Sequence, residues 1–277
     1  MEFENVSHIA SASNSRIKDV VRLRDRTHRD RAGLVLIEGY RELLRAVDAG
    51  VPILELYFCE AFFLGKNEPE LIRRIGENGA ALFSVGEDPF RKISYRDRPD
   101  GLVAIAELKP RTLSSLVLSR APLLVVAQAI EKPGNLGAIL RSADAAGADG
   151  VIVCDGVTDI NNPNVVRAST GTLFTVPVVE ETTQDTLSWL KQHDIRIIAA
   201  TPHASICYTE IDLTGPCAIA VGAEQYGLRN DLLEHADDRV RIPMAGVADS
   251  LNVATATTLL IFEAARQRGF KPRANQG

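Results

Sequence analysis

The sequence predicts an α/β protein in two successive units, the second built on a mostly parallel sheet with helices on both faces. Three observations carry this prediction. Short apolar runs alternate with segments of helical spacing along the chain. The alternation stops once, at 108–121 (LKPRTLSSLVLSRA), where a proline and several serines mark a linker, and then restarts. Beyond that break the strand runs are mostly apolar on both faces, as strands covered on both sides require.

In the first unit, residues 1–107, the apolar Ile17, Val20, Val21 and Leu23 stand amid charge, which predicts one exposed helix from 14 to about 30 with a thin apolar stripe. Residues 34–37 (LVLI) read as a buried strand ending at Glu38-Gly39, and 40–49 as a helix stopped by Gly50. A second strand follows at 53–59, a second helix at 69–76 and a third strand at 81–85. Asp88-Pro89 opens a short helix, and 102–106 supplies a fourth strand. In the second unit, 122–277, strands are predicted at 123–129, 151–154, 174–179, 195–200 and 218–221, with a short one at 240–242. Helices fall near 137–146, 184–193, 228–235 and 252–268, and 271–277 is expected to fray.

A chain of 277 residues can bury a sizeable core, and 45% apolar with 24% charged residues is the balance of a soluble globular protein. No apolar run approaches the roughly 20 residues of a membrane span. The opening MEFENVSHIA lacks the basic-then-apolar order of a signal peptide, so a cytoplasmic protein without a membrane partner is expected. Cys59, Cys154, Cys207 and Cys217 stand singly, which suggests reduced thiols rather than a disulfide framework or a zinc site. The five histidines show no metal spacing, and no GxSxG elbow or P-loop is present, so no metal is expected and hydrolase and kinase readings fall away. Net charge is −5, yet from 14 to 31 seven basic residues face three acidic ones. That stretch is either an RNA-backbone surface or a solvated helix face with internal ion pairs.

Four clusters hold groups able to do chemistry. EKPGNLGAILR at 131–141 lies where a strand ends and a helix begins, the ligand-binding edge of an open parallel sheet. Asn135 stands near the helix start, and Arg141, about 1.7 turns on, can reach back to hold a phosphate with its planar fork. The plain alternative makes Asn135 a helix cap and Arg141 a surface ion-pair partner. The second cluster is Gly222-Ala223-Glu224 with Gly227, where glycines after a strand admit a ligand close to the backbone. The third is Ser250 and Asn252, where Asp249 or Ser250 could instead simply cap the last helix; before it, Pro243 and Gly246 leave main-chain groups free of the sheet. RASTG at 167–171 adds a turn of small residues.

In this order and spacing, PGNLGAILRSADAAGADGVIV, RASTGTLFTVPV, AVGAEQYGLRNDLLEHAD and RIPMAGVADSLNVATATTLLIFEAARQR resemble the SpoU/TrmH family of RNA ribose 2′-O-methyltransferases, part of the SPOUT superfamily. The resemblance covers nearly all of 123–268. The segments NSRIKDV from Asn14 and RAGLVLIEG from Arg31 resemble that family's N-terminal RNA-binding domain, similar in fold to a small ribosomal protein. One departure is Ala254, where many members carry serine.

The resemblance implies a C-terminal parallel-sheet SPOUT domain tied in a deep trefoil knot, preceded by a smaller α/β RNA-binding domain. It implies S-adenosylmethionine as cofactor, with Ala200, Thr201, Gly222, Ile242 and Leu251 lining its pocket, and a homodimer formed through the knotted domain. It implies Arg141 as the central catalytic residue, Asn135 holding the nucleotide or Arg141, Glu224 orienting an arginine, and Ser250 and Asn252 positioning RNA or shaping the pocket. A guanidinium is a fixed cation, so Arg141 is expected to grip phosphate and polarise the 2′-hydroxyl, not to act as base. The implied substrate is structured RNA, most of all large-subunit ribosomal RNA. Transfer RNA, a base-modifying SPOUT enzyme and an RNA-binding protein without catalysis stand as alternatives. A dinucleotide dehydrogenase is excluded by the missing glycine fingerprint.

Overall fold

Two sheets organise the chain in the computed structural model, which describes residues 6–107 and 110–270. The tail expected to fray, 271–277, lies outside the described residues, as do the first two positions of the linker, 108 and 109.

The first unit runs β1 (Val6–Ile9), α1 (Ser15–Arg22), α2 (Arg26–Ala32), β2 (Leu34–Glu38), α3 (Tyr40–Asp48), β3 (Ile53–Phe58), α4 (Glu68–Glu77), β4 (Ala81–Val85), α5 (Glu87–Ile93) and β5 (Leu102–Glu107). Its sheet order is β1-β4-β3-β5-β2, with β5 antiparallel to both neighbours and the other pairs parallel. Ile17 and Val20 of α1 and Phe90 and Ile93 of α5 pack on Leu36, Tyr57, Phe83 and Val103 of the sheet. The sequence reading omits β1, an edge strand whose only buried residue is Ile9. The single helix expected from 14 to 30 is two helices. The first ends at Arg22, with Leu23 as its C-cap, and Asp25 caps the second, its carboxylate accepting the Thr27 N–H at 2.9 Å.

The chain continues as β6 (Leu123–Gln128), α6 (Pro133–Ala145), β7 (Gly150–Cys154), α7 (Pro163–Ala168), β8 (Val178–Glu181), α8 (Thr183–Gln192), β9 (Arg196–Ala200), β10 (Ile206–Cys207), β11 (Cys217–Val221), α9 (Asn230–Glu234), β12 (Asp238–Arg241) and α10 (Val253–Gln267). The second sheet has the order β10-β12-β9-β11-β6-β7-β8 and every pair in it is parallel. Leu187 and Leu190 of α8 and Leu113 of the linker join Leu124, Val126, Ile152 and Ala218 in one core. Elsewhere α10 packs along α6, where the Ser142 and Thr258 hydroxyls meet at 2.7 Å. Cys59, Cys154 and Cys217 are buried and Cys207 half-buried, all as free thiols. Burial pushes the Cys154 thiol up to about 11, and it donates to Thr186 Oγ1 at 3.2 Å.

Two expectations change here. The strand placed at 174–179 begins only at Val178, because Thr172–Phe174 is a single 3-10 turn and Pro177 cannot donate to a ladder. The single boundary expected at 108–121 is also not the whole division: Asp159–Thr175 groups with the first unit, while Pro110–Thr158 and the residues from 176 form the second. The excursion is held by specific bonds. Arg29, 1% exposed, pairs with the Asp159 carboxylate and donates to the Leu23 and Arg24 carbonyls at 2.7 Å each. Arg45 donates to Thr170 Oγ1 at 2.7 Å, and α7 packs on β2. Arg29, expected among the basic RNA-facing residues, is therefore a core residue.

Candidate active site

All strands of the second sheet point one way, so the loops leaving β9, β11 and β12 gather at one edge. They enclose, with the start of α10, a cavity of about 730 Å³, within the roughly 300–1,000 Å³ of cofactor sites. Ala200 and Thr201 line it after β9, Gly222 and Glu224 after β11, Ile242 after β12, and Ser250 and Leu251 before α10. The structure thus brings together all five residues expected at the cofactor and two of the five expected in catalysis.

The loop after β11 doubles back on itself. A Cβ at Gly222 would collide with the Gly227 carbonyl and the Leu228 amide, so only glycine fits. The Gly227 N–H closes the turn on the Ala223 carbonyl at 2.8 Å, with Gly227 at φ +66°. Beyond the turn, the Arg229 N–H donates to Oε1 of the fully buried Gln128 at 2.9 Å. Gln128 Nε2 donates in turn to Thr183 Oγ1 at 2.8 Å and Asp231 Oδ1 at 3.2 Å. One buried amide therefore anchors the loop to β6. Its signal in the sequence was a lone polar residue in an apolar strand. On the other wall, the main chain of 243–251 makes no hydrogen bond to other described residues, which leaves its N–H and C=O groups for a polar ligand.

Beside the cavity stands a second group. Asn252 caps α10, its Oδ1 accepting the Ala254 and Thr255 N–H groups at 3.0 and 3.4 Å. Its Nδ2 donates to Asn135 Oδ1 at 3.2 Å. The Asn135 Nδ2 is buried and has no partner. A buried orphan donor is costly unless a partner satisfies it. Asn135 is not a cap, since α6 begins with Lys132 at that position and Pro133 in its first turn. Ser250 is exposed and does not cap α10 either. Arg141, further along α6, is exposed, and its side chain makes no hydrogen bond or ion pair among the described residues. Glu224 differs from expectation: it pairs with Lys132 at 3.3 Å and not with an arginine. That pair ties the cavity rim to the start of α6. Lys132, His203, Tyr226 and Met244 complete the surroundings and were not singled out from the sequence. No three metal-ligating side chains cluster among the described residues.

Residues 122–262 match the model of the SpoU rRNA Methylase family, and 14–104 match an MRM3-like substrate binding domain. The chain belongs to the SpoU rRNA methylase family. The match spans both the cavity and the Asn135–Asn252 pair. A curated relative, the 23S rRNA (uridine(2479)-2′-O)-methyltransferase of Streptomyces viridochromogenes, is 34% identical, covering 89% of this chain and 87% of its own. A crystal structure of an RNA 2′-O ribose methyltransferase shares 45% identity with a TM-score of 0.84, covering 95% of this chain and 99% of its own. The AdoMet-bound rRNA methyltransferase of Sinorhizobium meliloti shares 32% identity with a TM-score of 0.86, covering 95% and 98%.

Proposed function

We propose that this SpoU protein transfers the methyl group of S-adenosylmethionine to a ribose 2′-hydroxyl of ribosomal RNA, most specifically of the large subunit. The observation that carries the reading is the cavity of loop backbone, whose wall residue Leu251 adjoins Asn252, the partner of the orphaned Asn135 on the helix that also bears Arg141. The cavity fits the cofactor: Val221, Val240 and Leu251 give apolar walls, and the unpaired main chain of 243–251 gives polar contacts. Bound there, the cofactor supplies an electrophilic methyl on its sulfonium. The protein's part is to hold the alcohol in line, and orientation of this kind is worth up to about 7–11 kcal/mol.

In this reading Ala200, Thr201, Gly222, Ile242 and Leu251 hold the cofactor. Arg141 grips the phosphate beside the target ribose and polarises its hydroxyl, whose proton leaves to phosphate or water. Asn135, aimed by Asn252, donates its free N–H to the nucleotide, while Glu224 positions Lys132 and Ser250 shapes the cavity mouth. The segment 218–268 forms the superfamily's trefoil knot, which draws the three loops together. Residues 1–107 form the RNA-binding domain, 108–121 a linker and 122–277 the methyltransferase domain, with 159–175 as its excursion. Two copies pair through the knotted domain, which accounts for Leu259 and Phe262 being part-exposed on α10. The protein works in the cytoplasm, where its RNA is. Among the described residues no helix is long and apolar enough to cross a membrane.

The test is transfer from labelled S-adenosylmethionine to ribosomal RNA, with mass-spectrometric mapping. One ribose-methylated nucleotide is expected. Arg141→Ala should reduce transfer by about 10²-fold or more, as loss of a group acting on the reacting centre does, and leave cofactor affinity unchanged. Cofactor binding without transfer to any RNA would replace the enzyme by an RNA-binding protein.

A further inference from the structure

The loop that closes the cofactor cavity carries an aromatic side chain that the reaction as described does not use. Tyr226 is 77% exposed. It has no hydrogen bond and no ring contact among the described residues. It nevertheless lines the cavity mouth. Its backbone is tightly held. The Gly227–Ala223 bond closes the turn next to it, and Gln128 anchors the loop two residues past that turn. Glu224, two residues before it, is tied to Lys132 at the start of α6, three residues from Asn135. Tyr226 is therefore an aromatic face presented at the cavity mouth on a held loop that is tied to the start of α6, the helix carrying Asn135 and Arg141.

We propose that Tyr226 is a stacking platform for a nucleobase of the RNA, at or next to the nucleotide whose ribose is methylated. This rests on the methyltransferase reading. Sequence-specific RNA recognition splays bases from loops and stacks them on aromatic side chains. An unstacked base at this site needs a π-face, and Tyr226 supplies one without ordering further chain. The cofactor is the weaker claimant to the ring. The cavity already has apolar walls in Val221, Leu228, Val240 and Leu251, while the tyrosine ring stands largely in solvent.

The experiment measures kcat and KM for RNA at saturating S-adenosylmethionine, cofactor affinity and sedimentation for wild type, Tyr226→Ala, Tyr226→Phe and Tyr226→Trp. Stacking predicts that alanine raises KM for RNA about 5- to 100-fold, the scale of a lost base–aromatic contact. Phenylalanine and tryptophan should restore it, with cofactor affinity and sedimentation unchanged in every variant. Unchanged KM in the alanine variant overturns the proposal, as does a phenylalanine variant no better than alanine. A loss confined to cofactor affinity assigns the ring to the cofactor, and a shift in sedimentation assigns it to a second copy; each overturns stacking. A wild type that methylates no RNA removes the enzyme reading itself. An active wild type with an indifferent Tyr226 removes only the platform.

Discussion

At the scale of single residues, Asn252 does two separable things. Its Oδ1 caps α10, and its Nδ2 holds the carbonyl oxygen of Asn135. Asn252→Ala should lose both, lowering stability by about 1 kcal/mol, as lost caps do, and lowering methyl transfer. Asn252→Asp keeps the cap acceptor but has no donor for Asn135, so its denaturation midpoint should stay near wild type while its transfer rate falls. An aspartate variant of full activity would show that the Asn135 contact is idle. The sequence made Asn252 visible as a polar residue at a helix start. The orphaned amide of Asn135 was not visible, because it depends on a partner 117 positions away in the chain. Nor could the charge pattern show that Glu224 meets Lys132, since several arginines stood as equal candidates for its partner.

At the scale of elements, α1 and α2 show where local reasoning stops. The stripe of Ile17 and Val20 was legible, and both are buried as it requires. The break at Asp25 was legible only in hindsight: aspartate inside a helical pattern competes for the backbone and starts a new helix. Arg29 was not legible at all, since its neighbours are charged and its burial comes from Asp159. The consequence is a large contrast between two arginines on the same short helix. Arg29→Ala leaves Asp159 buried without its cation and should cost roughly 3–5 kcal/mol. Arg26→Ala removes an exposed pair with Asp30 and should cost under about 1 kcal/mol. Denaturant unfolding of both variants decides this; equal midpoints would mean that the buried pair contributes nothing.

At the scale of the whole molecule, the alternating α/β plan, the parallel sheet and the cavity edge were all readable, because periodicity and glycine placement are local properties. The basic stretch needed the structure to be sorted. Arg22 pairs with Asp19 and Arg16 with Glu55. Arg24 donates to the Lys92 and Ser94 carbonyls at 2.8 and 2.6 Å. Lys18 and Arg31 are exposed and have no partner among the described residues. RNA affinity should therefore respond most to Lys18→Ala and Arg31→Ala, each flattening the slope of log affinity against log salt by about 0.7–0.9. Filter binding across a salt series checks this, and an unchanged slope would place the RNA elsewhere. The division of the chain has a further consequence, for biogenesis. Arg29 and Asp159 are 130 positions apart in the chain. A ribosome making this protein must add the intervening stretch, including β6, α6 and β7, before the counter-ion of Arg29 exists. Domains ordinarily fold as units, the N-terminal one first, during synthesis. Here the first unit must wait, part-finished, while much of the second is being made, so the two mature as interleaved steps of a single event.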